Sequence, residues 1–141
     1  MAACIAMATA DAQVTISDVT LPASMKAGET EIMLNGGGLR EKLWIDLYVG
    51  GLYMESKSSD AKAIVDADLA MAVKLEIVSK LITSEKMADA INEGFEKSTG
   101  GNMAPLQGKI SKFIETFNKS EITEGNVFDI VYVPGVGVQS Y

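Results

Sequence analysis

Leu34-Asn35-Gly36-Gly37-Gly38-Leu39-Arg40-Glu41-Lys42-Leu43-Trp44-Ile45-Asp46-Leu47-Tyr48-Val49-Gly50-Gly51-Leu52-Tyr53-Met54 is the stretch that decides the fold. From Leu43 onward the odd positions are Leu43, Ile45, Leu47, Val49, Gly51 and Tyr53, a continuous apolar face of period two, which predicts a half-buried strand over 43–54. Upstream, residues 31–35 form a short strand, and Gly36-Gly37-Gly38 is expected to be a tight turn, because glycine is the default residue for positive φ. A phosphate-cradling loop is excluded there. The spacing lacks the third glycine of a dinucleotide motif, and a strand follows instead of a helix, so no helix dipole faces an anion. The two strands form an antiparallel pair. Gly50-Gly51 predicts a bulge or a close backbone approach.

Toward the N-terminus, residues 14–20 alternate weakly as an edge strand, Leu21-Pro22 breaks it, and Lys26-Ala27-Gly28-Glu29 is a turn. Toward the C-terminus, residues 60–68 form a short helix capped by Ser59 or Asp60, and residues 71–78 a strand. Thr83-Ser84-Glu85 starts a helix carrying Met87, Ala90, Ile91 and Phe95 at helical spacing, stopped by Gly100-Gly101. A second amphipathic helix, 103–117, has Pro105 in its first turn and a stripe of Met103, Leu106, Ile110, Phe113, Ile114 and Phe117. Residues 127–133 form a strand, Pro134-Gly135 a turn, and 136–141 the start of a return strand. Strands, then helices, then strands predict an α+β domain with helices on one face of an antiparallel sheet. A ligand cavity is expected between the helix stripe and the apolar strand face.

The chain has 141 residues, 12 basic and 19 acidic, for a net charge of −7. No Lys/Arg stripe exists to displace phosphate counterions, so nucleic acid is excluded as a partner, and anionic membrane surfaces are disfavoured. Histidine is absent, which removes the Ser-His-Asp and Cys-His arrangements and histidine metal sites. No calcium loop or zinc motif occurs, so neither metal nor cofactor is expected. Residues 1–12 are apolar and small and end in Ala10-Asp11-Ala12, the close of a signal peptide whose positive region lies upstream. Export to the periplasm follows, with 13–141 as a single mature domain. A lipoprotein with Cys4 as the lipidated residue is the alternative. No stretch has the length of a membrane span.

The run from Leu34 to Arg40, followed by Tyr48-Val49-Gly50-Gly51-Leu52-Tyr53-Met54-Glu55, resembles the chalcone isomerase-like family, most closely its bacterial and fatty-acid-binding members. Residues 84–96, Ala104-Pro105-Leu106 with Phe113 to Phe117, and Gly125-Asn126-Val127-Phe128-Asp129 to Gly137 agree, so the resemblance covers about residues 31–141. It implies an open-faced β-sandwich, a large antiparallel sheet with helices packed on one face. Plant members close a chalcone into a flavanone; others bind fatty acids. In both, an arginine after the glycine-rich segment faces the ligand, which places that role on Arg40. Position assigns the assisting tyrosine of the fatty-acid binders to Tyr53, and brings the threonine of the plant site near Tyr48. The plant catalytic tyrosine falls in the segment from Lys74 to Val78, which holds no tyrosine.

Arg40 is therefore the expected anchor for a carboxylate or phenolate, since a guanidinium grips an anion with two parallel hydrogen bonds. Tyr53 and Tyr48 are the other ligand-binding candidates, although Arg40 and Tyr53 have opposite parity and need a bulge at Gly50-Gly51 to share a pocket. No residue is assigned as catalytic. The expected function is non-catalytic binding of a fatty acid or similar amphipathic acid, with a polyphenol as the other ligand class. The alternatives are an intramolecular lyase of the chalcone isomerase type and a cell-envelope interaction module without ligand.

Overall fold

The computed structural model describes residues 13–141, and the leader expected over 1–12, with Cys4, lies outside the described residues. The main sheet has six antiparallel strands: β3 (Ser24–Ala27), β4 (Thr30–Lys42), β5 (Ile45–Met54), β6 (Met71–Ile77), β7 (Val127–Val133) and β8 (Gly137–Ser140), hydrogen-bonded in that order. A separate hairpin, β1 (Val14–Ile16) and β2 (Val19–Leu21), covers one face. The helices are α1 (Ala61–Asp66), α2 (Ser84–Ser98) and α3 (Gln107–Asn118), the last entered through a 3-10 turn at Ala104–Leu106 that carries Pro105. Asp60 caps α1 by accepting from the Ala63 amide, and Thr83 caps α2 by accepting from the Lys86 amide, so both helices start at their expected capping residues.

The three central glycines are not a turn. They lie inside β4, which runs unbroken from Thr30 to Lys42, and none has positive φ. At Gly37 the requirement is space instead of conformation: a Cβ there would stand 2.5 Å from Leu21 Cδ1 of the covering hairpin. The real turn is Leu43-Trp44, both at positive φ (52° and 69°), within the span read as strand. The edge strand expected over 14–20 is the β1–β2 hairpin, turning at Ser17-Asp18 with the same positive-φ pattern.

The register also moves the irregularities. Pairing runs evenly through Gly50↔Leu75 and Gly51↔Lys74, so no bulge sits there. One extra residue, Asn35, lies on β4, and another, Leu47, on β5 opposite the step from Arg40 to Glu41. Asn35 clamps the following loop, donating to the Ser58 carbonyl (2.9 Å) and accepting from the Ser58 amide (2.8 Å).

Two cores result, one on each face of the sheet. The face under the β1–β2 hairpin buries Leu21, Ile32, Leu34, Val49, Tyr53, Ala72 and Val131. The sheet curls around this core until β3 approaches β7, where Gly28 stands over Val133. The other face carries α2 and α3, packed through Ile77, Met87 and Phe117 and an aromatic ladder: Phe95 to Phe113 (6.2 Å), Phe113 to Phe117 (5.5 Å) and Phe117 to Phe128 (4.7 Å). Val49, Gly51 and Tyr53, the odd positions of β5, thus face away from the helices, and Tyr48, Gly50 and Leu52 face toward them.

Candidate functional site

Arg40 is paired directly with Tyr48 across β4 and β5, so their side chains leave the same face of the sheet. That face is the helix side, because Tyr48 packs against the α2–α3 core. The extra residue Leu47 puts Leu47 and Tyr48 together on that side and restores the alternation beyond it. Lys42 therefore shares the face with Arg40, two residues further along β4. The charges of Lys42 and Arg40 both act on Glu93 of α2, whose carboxyl is held below its usual range first by its hydrogen bond from Lys97. Sequence reading missed Lys42; the signal was its spacing of two from Arg40 on a strand.

Arg40 is exposed to solvent, and among the described residues no carboxylate lies within ion-pair distance of it. Beyond it, the helix face of the sheet is apolar and only half covered. Leu52, Val73, Leu75, Phe128 and Ile130 are all half-buried, whereas their neighbours on the other face, Val49, Tyr53, Ala72 and Val131, are buried. Gly36, Gly38 and Gly94 each leave the space where a Cβ would lie free of any atom within 4 Å. Gly36 and Gly38 share the Arg40 face, paired with Leu52 and Gly50, and Leu75 lies 3.4 Å from the Cβ position of Gly50. The result is a half-exposed apolar face rather than the cavity expected between the helix stripe and the sheet. Two concavities, of about 420 and 430 Å³, open elsewhere: one is lined by Asp18, Asp46, Glu76 and Glu124, the other by Ala23, Ser24, Glu31 and Met33.

Tyr53 is not brought to Arg40. It is fully buried on the opposite face, and its hydroxyl donates to the Pro22 carbonyl at 2.7 Å. Burial, with a smaller contribution from the Asp129 charge, pushes its pKa up to about 12. The hydroxyl's partner is thus a backbone carbonyl, and the parity conflict stands because the bulges lie at Asn35 and Leu47 instead of Gly50-Gly51. The segment from Lys74 to Val78 places Lys74 on this same far face, paired with Asp129 at 2.7 Å. Among the described residues no cluster of metal-ligating side chains occurs, and no helix is long and apolar enough to cross a membrane.

The family profile described as chalcone isomerase-like matches residues 13–141. The chain belongs to the chalcone isomerase-like family. No curated protein matches it by sequence. Among solved structures, the crystal structure of a fatty-acid binding protein from Arabidopsis thaliana superposes with a TM-score of 0.70 at 20% identity, over 92% of this chain and 77% of that one. The curled six-stranded sheet with its helix layer is thus the chalcone isomerase-like fold, and Arg40, Lys42 and Tyr48 lie on its helix-covered face.

Proposed function

We propose that the protein binds a fatty acid or similar amphipathic acid without chemical turnover, in the cleft between the sheet and α2–α3. The observation that carries this is a cation, Arg40, with no ion pair among the described residues, at the end of an apolar sheet face that its own helices leave half open. The carboxylate accepts hydrogen bonds from the Arg40 guanidinium and is held also by the charge of Lys42, with Tyr48 beside them. The acyl chain lies along Leu52, Val73 and Leu75, in the space above Gly36 and Gly38. Each methylene buried there contributes about 0.8 kcal/mol, so most of the affinity comes from the chain. The exposed head-group contact adds about 1 kcal/mol after solvent screening. Tyr53 belongs to the core and takes no part. The fatty-acid-binding fold neighbour supports the ligand class.

Native mass spectrometry tests the proposal. The expected spectrum after incubation with a medium-chain fatty acid has a 1:1 adduct that survives desolvation. Bare protein at every acid concentration contradicts it. The exposure of Arg40 favours a second reading, a cell-envelope interaction module without ligand, and bare protein is what that reading predicts.

A further inference from the structure

The turn between β4 and β5 is built against local preference. Two-residue hairpin loops with both residues at positive φ favour Asn-Gly or Asp-Gly, because a bulky side chain is strained there. The β1–β2 hairpin meets this conformation with two small polar residues, Ser17-Asp18, whereas the β4–β5 hairpin places the bulky Leu43 and Trp44 in it. Neither gains burial in return: Leu43 is 80% and Trp44 95% exposed, and Ile45 beside them is 37% exposed. The tip extends past the end of its neighbour, since β6 pairs with β5 only as far as Tyr48↔Ile77.

We propose that this tip is a membrane-docking finger: Leu43 and Trp44 enter the interface of a lipid bilayer and bring the Arg40 end of the cleft to the lipid phosphates. Three points favour a bilayer over a protein partner. Two side chains offer on the order of 400 Å², far short of the ~1,200 Å² that a stable protein interface buries, whereas a bilayer demands no complementary surface. Tryptophan suits the boundary between acyl chains and head groups. The geometry also matches: Arg40 lies three residues from Leu43, or ~10 Å along a strand, and interfacial apolar groups sit ~5–10 Å into the head-group region. Lys42 and Arg40 then reach the phosphates while Leu43 and Trp44 reach the acyl boundary. Glu41 and Asp46 balance these two cations at the tip, so docking needs no anionic lipid, and the overall charge of −7 disfavours it. The purpose, collecting an amphipathic acid from the bilayer where it resides, rests on the binding function proposed above; the docking does not.

Trp44 is the only tryptophan in the chain, so its fluorescence reports on the tip alone. With phosphatidylcholine vesicles, emission is expected to shift to shorter wavelength and to be quenched by lipids brominated on the acyl chain. Replacing part of the phosphatidylcholine by phosphatidylglycerol is expected to leave binding unchanged or weaker. The double variant Leu43→Asn/Trp44→Gly, which has the preferred turn residues and so folds at least as well, is expected to lose vesicle flotation by tenfold or more, about the effect of withdrawing one large apolar side chain. It should still take up fatty acid free in solution, which separates failure of docking from failure of ligand binding. An unshifted wild-type spectrum, equal flotation of the variant, or a blue shift that follows protein concentration without lipid would overturn the proposal, the last pointing to a second copy.

Discussion

At the scale of single residues, the two tyrosines of β5 show how parity separates a side chain on the proposed binding face from a structural one. Tyr48 stands beside Arg40 on the helix face, whereas Tyr53 spans the other core to the Pro22 carbonyl and ties β5 to the chain leaving β2. Replacing Tyr53 by Phe removes that hydrogen bond and should cost about 1 kcal/mol of stability, measured by urea denaturation, with fatty-acid affinity unchanged. The same tyrosine sets an alkaline limit. Its pKa is about 12 in the folded protein against 10 for the ordinary group. Between those values the unfolded chain has lost the proton that the folded one keeps, so stability is intact below pH 10 and falls as pH rises toward 12. Thermal denaturation should show this decline in the wild type and a shallower one in Tyr53→Phe. Arg40 and Tyr48 could be named from sequence as candidates, but their neighbours could not. Lys42 joins them by its spacing of two from Arg40 along β4, a signal that counts only once residues 36–42 are strand instead of a glycine turn and its exit.

Within β4, the glycine run divides by face. Gly37 lies under Leu21, and Ile16 Cδ1 is 3.3 Å from its Cβ position, so Gly37→Ala forces the β1–β2 hairpin outward. That overpacking should cost ~1–3 kcal/mol, read as a lower denaturation midpoint. Gly36 and Gly38 face open space, so Gly38→Val should fold without loss and yet bind fatty acid several-fold more weakly, because its side chain occupies the cleft. A stable Gly38→Val with full affinity would place the ligand elsewhere. The run was misread as a turn because glycine's usual meaning is conformational. Here the requirement is for volume, set by Leu21 in a hairpin that local pattern could not dock. Helix starts were legible because Asp60 and Thr83 are local caps. The Leu43-Trp44 turn was hidden because neither residue carries a turn signal.

Across the whole molecule, the curled sheet and the helix pair differ in cohesion. The hairpin-covered core is continuous from β3 to β7, while α2 contributes only Met87 to the fully buried set and α3 only Ile110, Thr116 and Phe117. Hydrogen exchange should therefore find the amides of α2 less protected than those of β5 and β6, with added fatty acid slowing exchange in α2. The α+β layering was legible in the sequence because strand and helix periods alternate cleanly along the chain. Which strand face meets the helices was not, since both faces of β5 are apolar and only the sheet's curl decides between them. The central claim is that the Arg40 end of this half-open face holds an anionic head group. Its most direct measurement is titration of a fluorescent fatty acid into wild type and Arg40→Leu under identical conditions. Loss of about 1 kcal/mol, roughly a fivefold weaker dissociation constant, is the predicted result; equal affinity in the two proteins would contradict it.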